Sequence, residues 1–360
     1  MSEDVEGWRH RAAALADALV ERGVVTDPAW REVVASVPRH VFVPAFYDDS
    51  SGLVTGDAPG WLDAVYRDDT LVTQRMEHGG FEWPTSSSTR PSLMLRMLKL
   101  LDVADGMTVL EVGSGTGYNS ALLSERLGSA NVTSVDIDPE LVDAARGRLA
   151  DAGYTPVVAA RDGALGHAGR APYDRVIATV AFERVPYAWV EQTRPGGVVL
   201  ADVRPRGMTW AGALARLTVD GESARRPFVE CTWGFMSARP DVSRPGVPEG
   251  GHIDATSVRT RTSAVGADAL HAPDLSLLIR QRLPGVTAFL GADGAQVTAP
   301  DGSWADVSGG TVEFGGPRDV WAAVEGAHAW WGARGRPGVE SFVLEVDRRG
   351  QRFAMVGALG

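Results

Sequence analysis

The stretch Val109-Leu110-Glu111-Val112-Gly113-Ser114-Gly115-Thr116-Gly117-Tyr118 constrains this chain more than any other. An apolar run interrupted by one acid is followed by three glycines at two-residue spacing. Ala121, Leu122, Leu123 and Leu127 then recur with helical period, so the stretch reads as strand, tight turn and helix. Glycine lets the backbone approach a ligand closely, and the free N–H groups at a helix start face whatever binds there. The turn is therefore a cofactor loop. A dinucleotide fingerprint would put its last glycine three residues after the second, at 118, where this chain has a tyrosine. The next predicted strand, Val132-Thr133-Ser134-Val135-Asp136, ends in an aspartate able to hold two ribose hydroxyls. The plainer alternative is a glycine-rich βα turn with a solvated aspartate.

The 360 residues suffice for one large or two ordinary domains. No apolar run approaches eighteen residues and the N-terminus, Met1-Ser2-Glu3-Asp4, is acidic, so neither a membrane span nor a secretory signal is expected. A net charge of −11 argues against broad nucleic-acid or anionic-membrane binding. Cys231 is the only cysteine and the seven histidines lack ligand spacing. No disulfide or metal site is expected, and a reducing cytoplasm fits.

Before the loop, Trp8 to Arg22 has helical period with Gly23 as its stop, and Asp27-Pro28 caps a second helix to about Ser36. Val37-Pro38-Arg39-His40-Val41-Phe42-Val43-Pro44 follows, which alone reads as an extended linker. Pro84-Thr85-Ser86-Ser87-Ser88-Thr89-Arg90-Pro91-Ser92 then precedes a helix from Leu93 to Leu101; its hydroxyls are either caps and turns or a clamp for a carboxylate. Taken in order, the Val-Pro-Arg and Phe-Val-Pro elements, Tyr66-Arg67-Asp68-Asp69, the hydroxyl stretch and the glycine loop resemble protein L-isoaspartyl O-methyltransferases, over about residues 10–236.

That resemblance implies a Rossmann-like α/β sheet of the class I S-adenosylmethionine (SAM) methyltransferases, with a helical N-terminal segment. It implies SAM as cofactor, held by Glu111, Gly113, Ser114, Gly115, Thr116, Gly117, Asp136, Ile137, Asp162, Gly163 and Thr179. Thr89, two places before the matching proline, would bind the substrate carboxylate, with Ser88 as a second catalytic hydroxyl and Ser87, Arg90 and Val43 as substrate contacts. The family's usual Thr-Ile-Ser-Ala-Pro-His context is altered here: Ser88, Arg90 and Ser92 replace a hydrophobic residue, an alanine and a histidine.

Further on, Pro139 to Leu149 reads as a helix, and Thr155 to Ala160 and Pro172 to Ala181 as strands. Ala213 to Val219 and Pro227 to Phe235 read as a hairpin at the sheet edge. A Pro/Gly-rich linker is expected over 237–251. Residues 252–360 are expected to form a separate, smaller α+β domain that the repair enzymes lack, with a helix carrying Trp321, Trp330 and Trp331 in its core and a closing hairpin, Phe342 to Val346 with Arg352 to Val356.

A carboxylate acceptor, with a solution pKa of ~4, is already ionised at neutral pH and needs no general base. A pocket of hydroxyls and Arg90 suits it. The expectation is thus a SAM-dependent carboxyl O-methyltransferase acting on an aspartyl side chain of a peptide. The altered stretch and the extension resemble members that modify ribosomal peptide natural products such as graspetides or lanthipeptides, where the ester cyclises to an aspartimide. Repair of isoaspartyl residues in proteins is the alternative; a non-catalytic peptide-binding protein on a SAM fold, and more distantly a nicotinamide oxidoreductase, are rivals of other classes.

Overall fold

The structure is a computed structural model and describes residues 7–204, 212–232, 234–247, 257–291 and 293–356. Met1–Asp4 and residues 248–251 of the expected linker lie outside them. Helix Trp8–Glu21 ends before Gly23 (φ 71°), and Asp27 caps helix Pro28–Ser36 by accepting the Ala29 N–H at 2.9 Å. The expected extended linker is instead a helical turn, Arg39–Phe42, with Phe42 and Val43 in the core.

Strands β1 (Ala45–Tyr47), β2 (Leu53–Thr55), β3 (Leu71–His78) and β4 (Phe81–Ser88) form a small antiparallel sheet in the order β2-β1-β3-β4. The hydroxyl stretch, for which caps and turns are one of two readings, thus lies mostly in a strand. Pairing of Leu71 with Ser88 and Val72 with Ser87 supplies a ladder that overrides the local turn preference of serine. Pro91 opens the following helix, which runs to Leu101.

The main sheet contains β5 (Val109–Val112), β6 (Val132–Asp136), β7 (Val157–Ala160), β8 (Tyr173–Ala178), β9 (Thr193–Val203), β10 (Gly212–Asp220) and β11 (Ser223–Thr232). Strands β7-β6-β5-β8-β9 are parallel and β10 and β11 continue the sheet antiparallel. Every residue of β5, β6 and β8 is buried, as befits strands covered on both faces. The chain leaves β5 towards β6 on one side and later returns to β8 on the other, which opens a crevice at the strands' carboxyl ends.

Two boundaries differ from expectation. Strands β12 (Arg259–Thr262), β13 (Thr287–Leu290), β14 (Gly294–Thr298), β15 (Trp304–Ser308) and β16 (Thr311–Gly315) make a sheet of their own, ordered β12-β16-β15-β14-β13, packed with helices Pro273–Arg282 and Val320–Gly332. The closing hairpin, β17 (Phe342–Asp347) and β18 (Gly350–Met355), does not belong to it: β17 pairs with β11, Ala224 opposite Val346 and Pro227 opposite Val343. The β10–β11 hairpin is therefore interior and β18 is the edge. Phe342, Val343 and Leu344 are consecutive and all buried, a pattern that needs cover on both faces. The expected linker also begins within the fold, since Ser237 bridges to Ala181 and the Ala238 N–H donates to the Ala181 carbonyl at 2.7 Å. In the Trp-rich helix, Trp321 is fully buried, while half-buried Trp331 touches both the small-sheet core and that of the main sheet. Among the described residues no helix is long and apolar enough to cross a membrane.

Candidate active site

The crevice becomes a cleft enclosing about 1050 Å³ between the glycine loop, β4 and the segment Gly234–Arg239. Its floor is built by β5. Glu111 is fully buried and accepts hydrogen bonds from Asn119 Nδ2 (2.8 Å), Ser134 Oγ (2.7 Å) and Ser120 Oγ. Burial raises its pKa, and these three donors hold it down. The carboxylate thus ties the start of helix Tyr118–Leu127 to β5 and β6.

The loop needs glycine at 113. There φ is +99°, and a Cβ would stand 2.9 Å from Thr179 Oγ1 and 3.3 Å from Val180 Cγ1. Thr179 Oγ1 donates to the Gly113 carbonyl at 2.7 Å, so the end of β8 fixes the turn. At Gly115 a Cβ would stand 3.5 Å from Ser86 Oγ and 3.7 Å from the Ser87 carbonyl, which measures how closely β4 faces the loop. Asp136, at the end of β6, accepts the Gly115 N–H at 2.9 Å and the Asp138 N–H at 3.1 Å; burial raises its pKa against those two bonds.

Asp138 caps the next helix through the Glu140 N–H (2.9 Å) and accepts from Gln74 Nε2 and Arg239 Nη2, each at 3.0 Å. Burial pushes the Asp138 carboxyl up, but those bonds outweigh it and its pKa is lowered. Gln74 Oε1 in turn accepts from Thr85 Oγ1 at 2.8 Å. One polar chain therefore links the segment closing the cleft to the hydroxyl strand.

Thirteen of the expected residues share this cleft: Ser87, Ser88 and Thr89; Glu111, Gly113, Ser114, Gly115 and Thr116; Asp136 and Ile137; Asp162 and Gly163; and Thr179. Three do not line it. Gly117 caps the helix beneath, Val43 is in the core with its carbonyl accepting from Trp61 Nε1, and Arg90 lies outside on a neighbouring groove. Asp162 caps its own turn through the Ala164 N–H at 2.9 Å.

Sequence reasoning missed two features. Arg39, fully buried, donates to the carbonyls of Val65 and Arg67 (2.8 Å each) and Asp69 (3.0 Å), and to Ser88 Oγ and the Thr89 carbonyl (3.4 Å each). It binds the segment after Val65 to the hydroxyl strand, and its place between Pro38 and the apolar Val41-Phe42-Val43 was the available signal. The Gly234–Arg239 segment carried no signal beyond following a strand. Among the described residues no group of three or more His, Cys, Asp or Glu is placed to hold a metal.

A family model described as Protein-L-isoaspartate(D-aspartate) O-methyltransferase (PCMT) matches residues 10–218. This chain belongs to that family. A curated protein-L-isoaspartate O-methyltransferase of Methanopyrus kandleri is 32% identical over 238 residues, 65% of this chain and 94% of that one. Its counterpart in Hyperthermus butylicus is 28% identical, covering 64% and 90%. A solved structure titled protein-L-isoaspartate O-methyltransferase aligns over 95% of this chain and 98% of its own with a TM-score of 0.58 at 20% identity, a likeness of fold. One solved relative of that name thus has a counterpart of the C-terminal region, whereas the two curated relatives, 94% and 90% covered by 65% and 64% of this chain, do not, so the region is an extension relative to them.

The protein is a SAM-dependent O-methyltransferase on a Rossmann-like α/β fold. The cleft fits the cofactor: the backbone of the glycine loop lines it, a buried carboxylate stands at the end of β6, and Ile137, Leu141 and Phe182 give the wall an apolar side.

Proposed function

We propose that the protein methylates the free carboxylate of an L-isoaspartyl residue in a polypeptide. The observation that carries this is the apposition of the hydroxyl stretch Ser86–Thr89, the end of β4 and the residue after it, to the glycine loop within one cleft. Bound SAM supplies a methyl group on a positively charged sulfur. Ser87 and Thr89 donate hydrogen bonds to the acceptor carboxylate, which is anionic at neutral pH and gives up no proton. With SAM held there, a carboxylate oxygen would take the methyl group and sulfur would keep the electron pair of the broken C–S bond. Glu111 and Asp136 hold the loop and the adenosine side, and Arg39 holds the strand bearing the hydroxyls. Alignment of the two partners is worth up to about 7–11 kcal/mol.

The relatives' names favour isoaspartate as the acceptor. A dedicated natural-product precursor draws its support from the altered hydroxyl stretch and the C-terminal region; a solved protein named for isoaspartate aligns over that region too, so the region by itself does not favour the precursor. An ordinary aspartate in a ribosomal peptide, its ester closing to an aspartimide, keeps one supporting observation: Arg90, beside the acceptor position, is exposed at the rim of the adjoining groove. The test is to supply SAM with matched isoaspartyl and aspartyl peptides and follow mass. Gain of one methyl on the isoaspartyl peptide alone is expected. Methylation of the aspartyl peptide with later loss of methanol would replace this reading by the second.

A further inference from the structure

Beside the cleft, and sharing Gly234 with it, lies a second groove of about 1330 Å³. In a chain of net charge −11, its lining carries Arg22, Arg90, Arg96 and Lys99 against one acid, Glu230. Arg96 pairs with Glu230, and Arg22 pairs with Asp68 at 2.7 Å. Among the described residues, Arg90 and Lys99 have no acidic partner, and both are exposed. The two spare positive charges make the groove a local reversal of the protein's field.

The geometry ties this groove to the acceptor. Arg90 directly follows Thr89, and Ser92, Arg96 and Lys99 stand at i, i+4 and i+7 on one face of helix Pro91–Leu101. That stripe is about 10 Å long at 1.5 Å per residue, which matches roughly three residues of extended chain. Leu93 and Leu100 give it an apolar floor.

We propose that the groove receives the polypeptide flanking the methyl-accepting residue and selects acidic side chains within about three positions of it. This rests on reading the acceptor as a peptide carboxylate at Thr89. The charges act at a solvated rim, so the preference weakens as salt rises.

The test uses fluorescein-labelled isoaspartyl and aspartyl peptides bearing three glutamates or three lysines on either flank, with both anisotropy and methylation as readouts. With the intact protein at low salt, a glutamate flank on one side is expected to bind about tenfold more tightly than its lysine counterpart, falling to about twofold in 0.3 M salt. The double charge reversal Arg90→Glu with Lys99→Glu should invert the order. Its binding of S-adenosylhomocysteine and its melting temperature report that the fold is retained. Flank charge without effect, or an unchanged preference in the reversed protein, overturns the proposal. Charge-dependent binding of peptides that are never methylated would instead defeat the carboxyl-methylation reading and leave the groove standing.

Discussion

Replacing Arg39 by methionine should be the most damaging change that touches neither cofactor nor substrate. Methionine keeps most of the side chain's volume but removes every donor, so the carbonyls of Val65, Arg67 and Asp69 lose bonds of 2.8–3.0 Å inside the protein. An unsatisfied buried acceptor costs about 1–3 kcal/mol, which gives roughly 3–9 kcal/mol for three. Part is returned because a guanidinium no longer has to be buried, a cost visible in the lowering of its pKa by desolvation. The net expected loss is about 3–5 kcal/mol, or a fall in melting temperature of about 6–20 °C for a unit of this size. Urea denaturation followed by circular dichroism measures it. KM for the acceptor peptide should rise as well, because Ser88 and the Thr89 carbonyl lose their anchor. Arg39→Lys should recover only part, since one ammonium cannot span acceptors on both sides. A methionine variant within about 1 kcal/mol of the parent, with KM unchanged, would refute the claim that this side chain holds the hydroxyl strand.

Other changes separate roles within the cleft. Thr89→Ala removes one hydrogen bond to a charged acceptor, so kcat/KM should fall about 10- to 150-fold while calorimetric affinity for S-adenosylhomocysteine is unchanged. Gly113→Ala puts a Cβ 2.9 Å from Thr179 Oγ1 at a φ of +99°, and affinity for S-adenosylhomocysteine should drop by more than about 100-fold in a folded protein. Glu111→Gln tests the buried acid. Because its folded pKa is raised above 4.5, its stabilising contribution is complete below that pH and is lost as pH climbs through the folded value. The glutamine protein, whose neighbouring hydroxyls can donate or accept, should therefore match the parent near pH 4.5 and gain on it towards pH 8 in urea midpoints. A constant difference across that range would mean that this carboxyl does not titrate as its burial requires.

The glycine loop, Asp136 and the parallel strands were legible because each rests on a local rule: fully buried strands read as apolar runs, and a turn crossing under a ligand requires glycine. The hydroxyl stretch lines one cleft with the glycine loop, but its strand backbone was not legible, since the ladder that makes Phe81–Ser88 a strand comes from β3 rather than from its own serines. Val43 failed as a contact for a similar reason. Its neighbours Phe42 and Trp61 are brought around it by packing, which no spacing reveals. The domain boundary was misread because proline and glycine content marks where a chain turns, and cannot tell whether it later comes back.

It does come back. Because the final hairpin completes a sheet whose first strand starts at Val109, β11 keeps one bare edge until the residues after 340 have left the ribosome. During synthesis the intervening small sheet can close first, while the catalytic half waits for its last two strands. A gene truncated just beyond the 237–251 segment would thus yield a protein with an adhesive flank, prone to pair with its own copies, rather than a minimal methyltransferase.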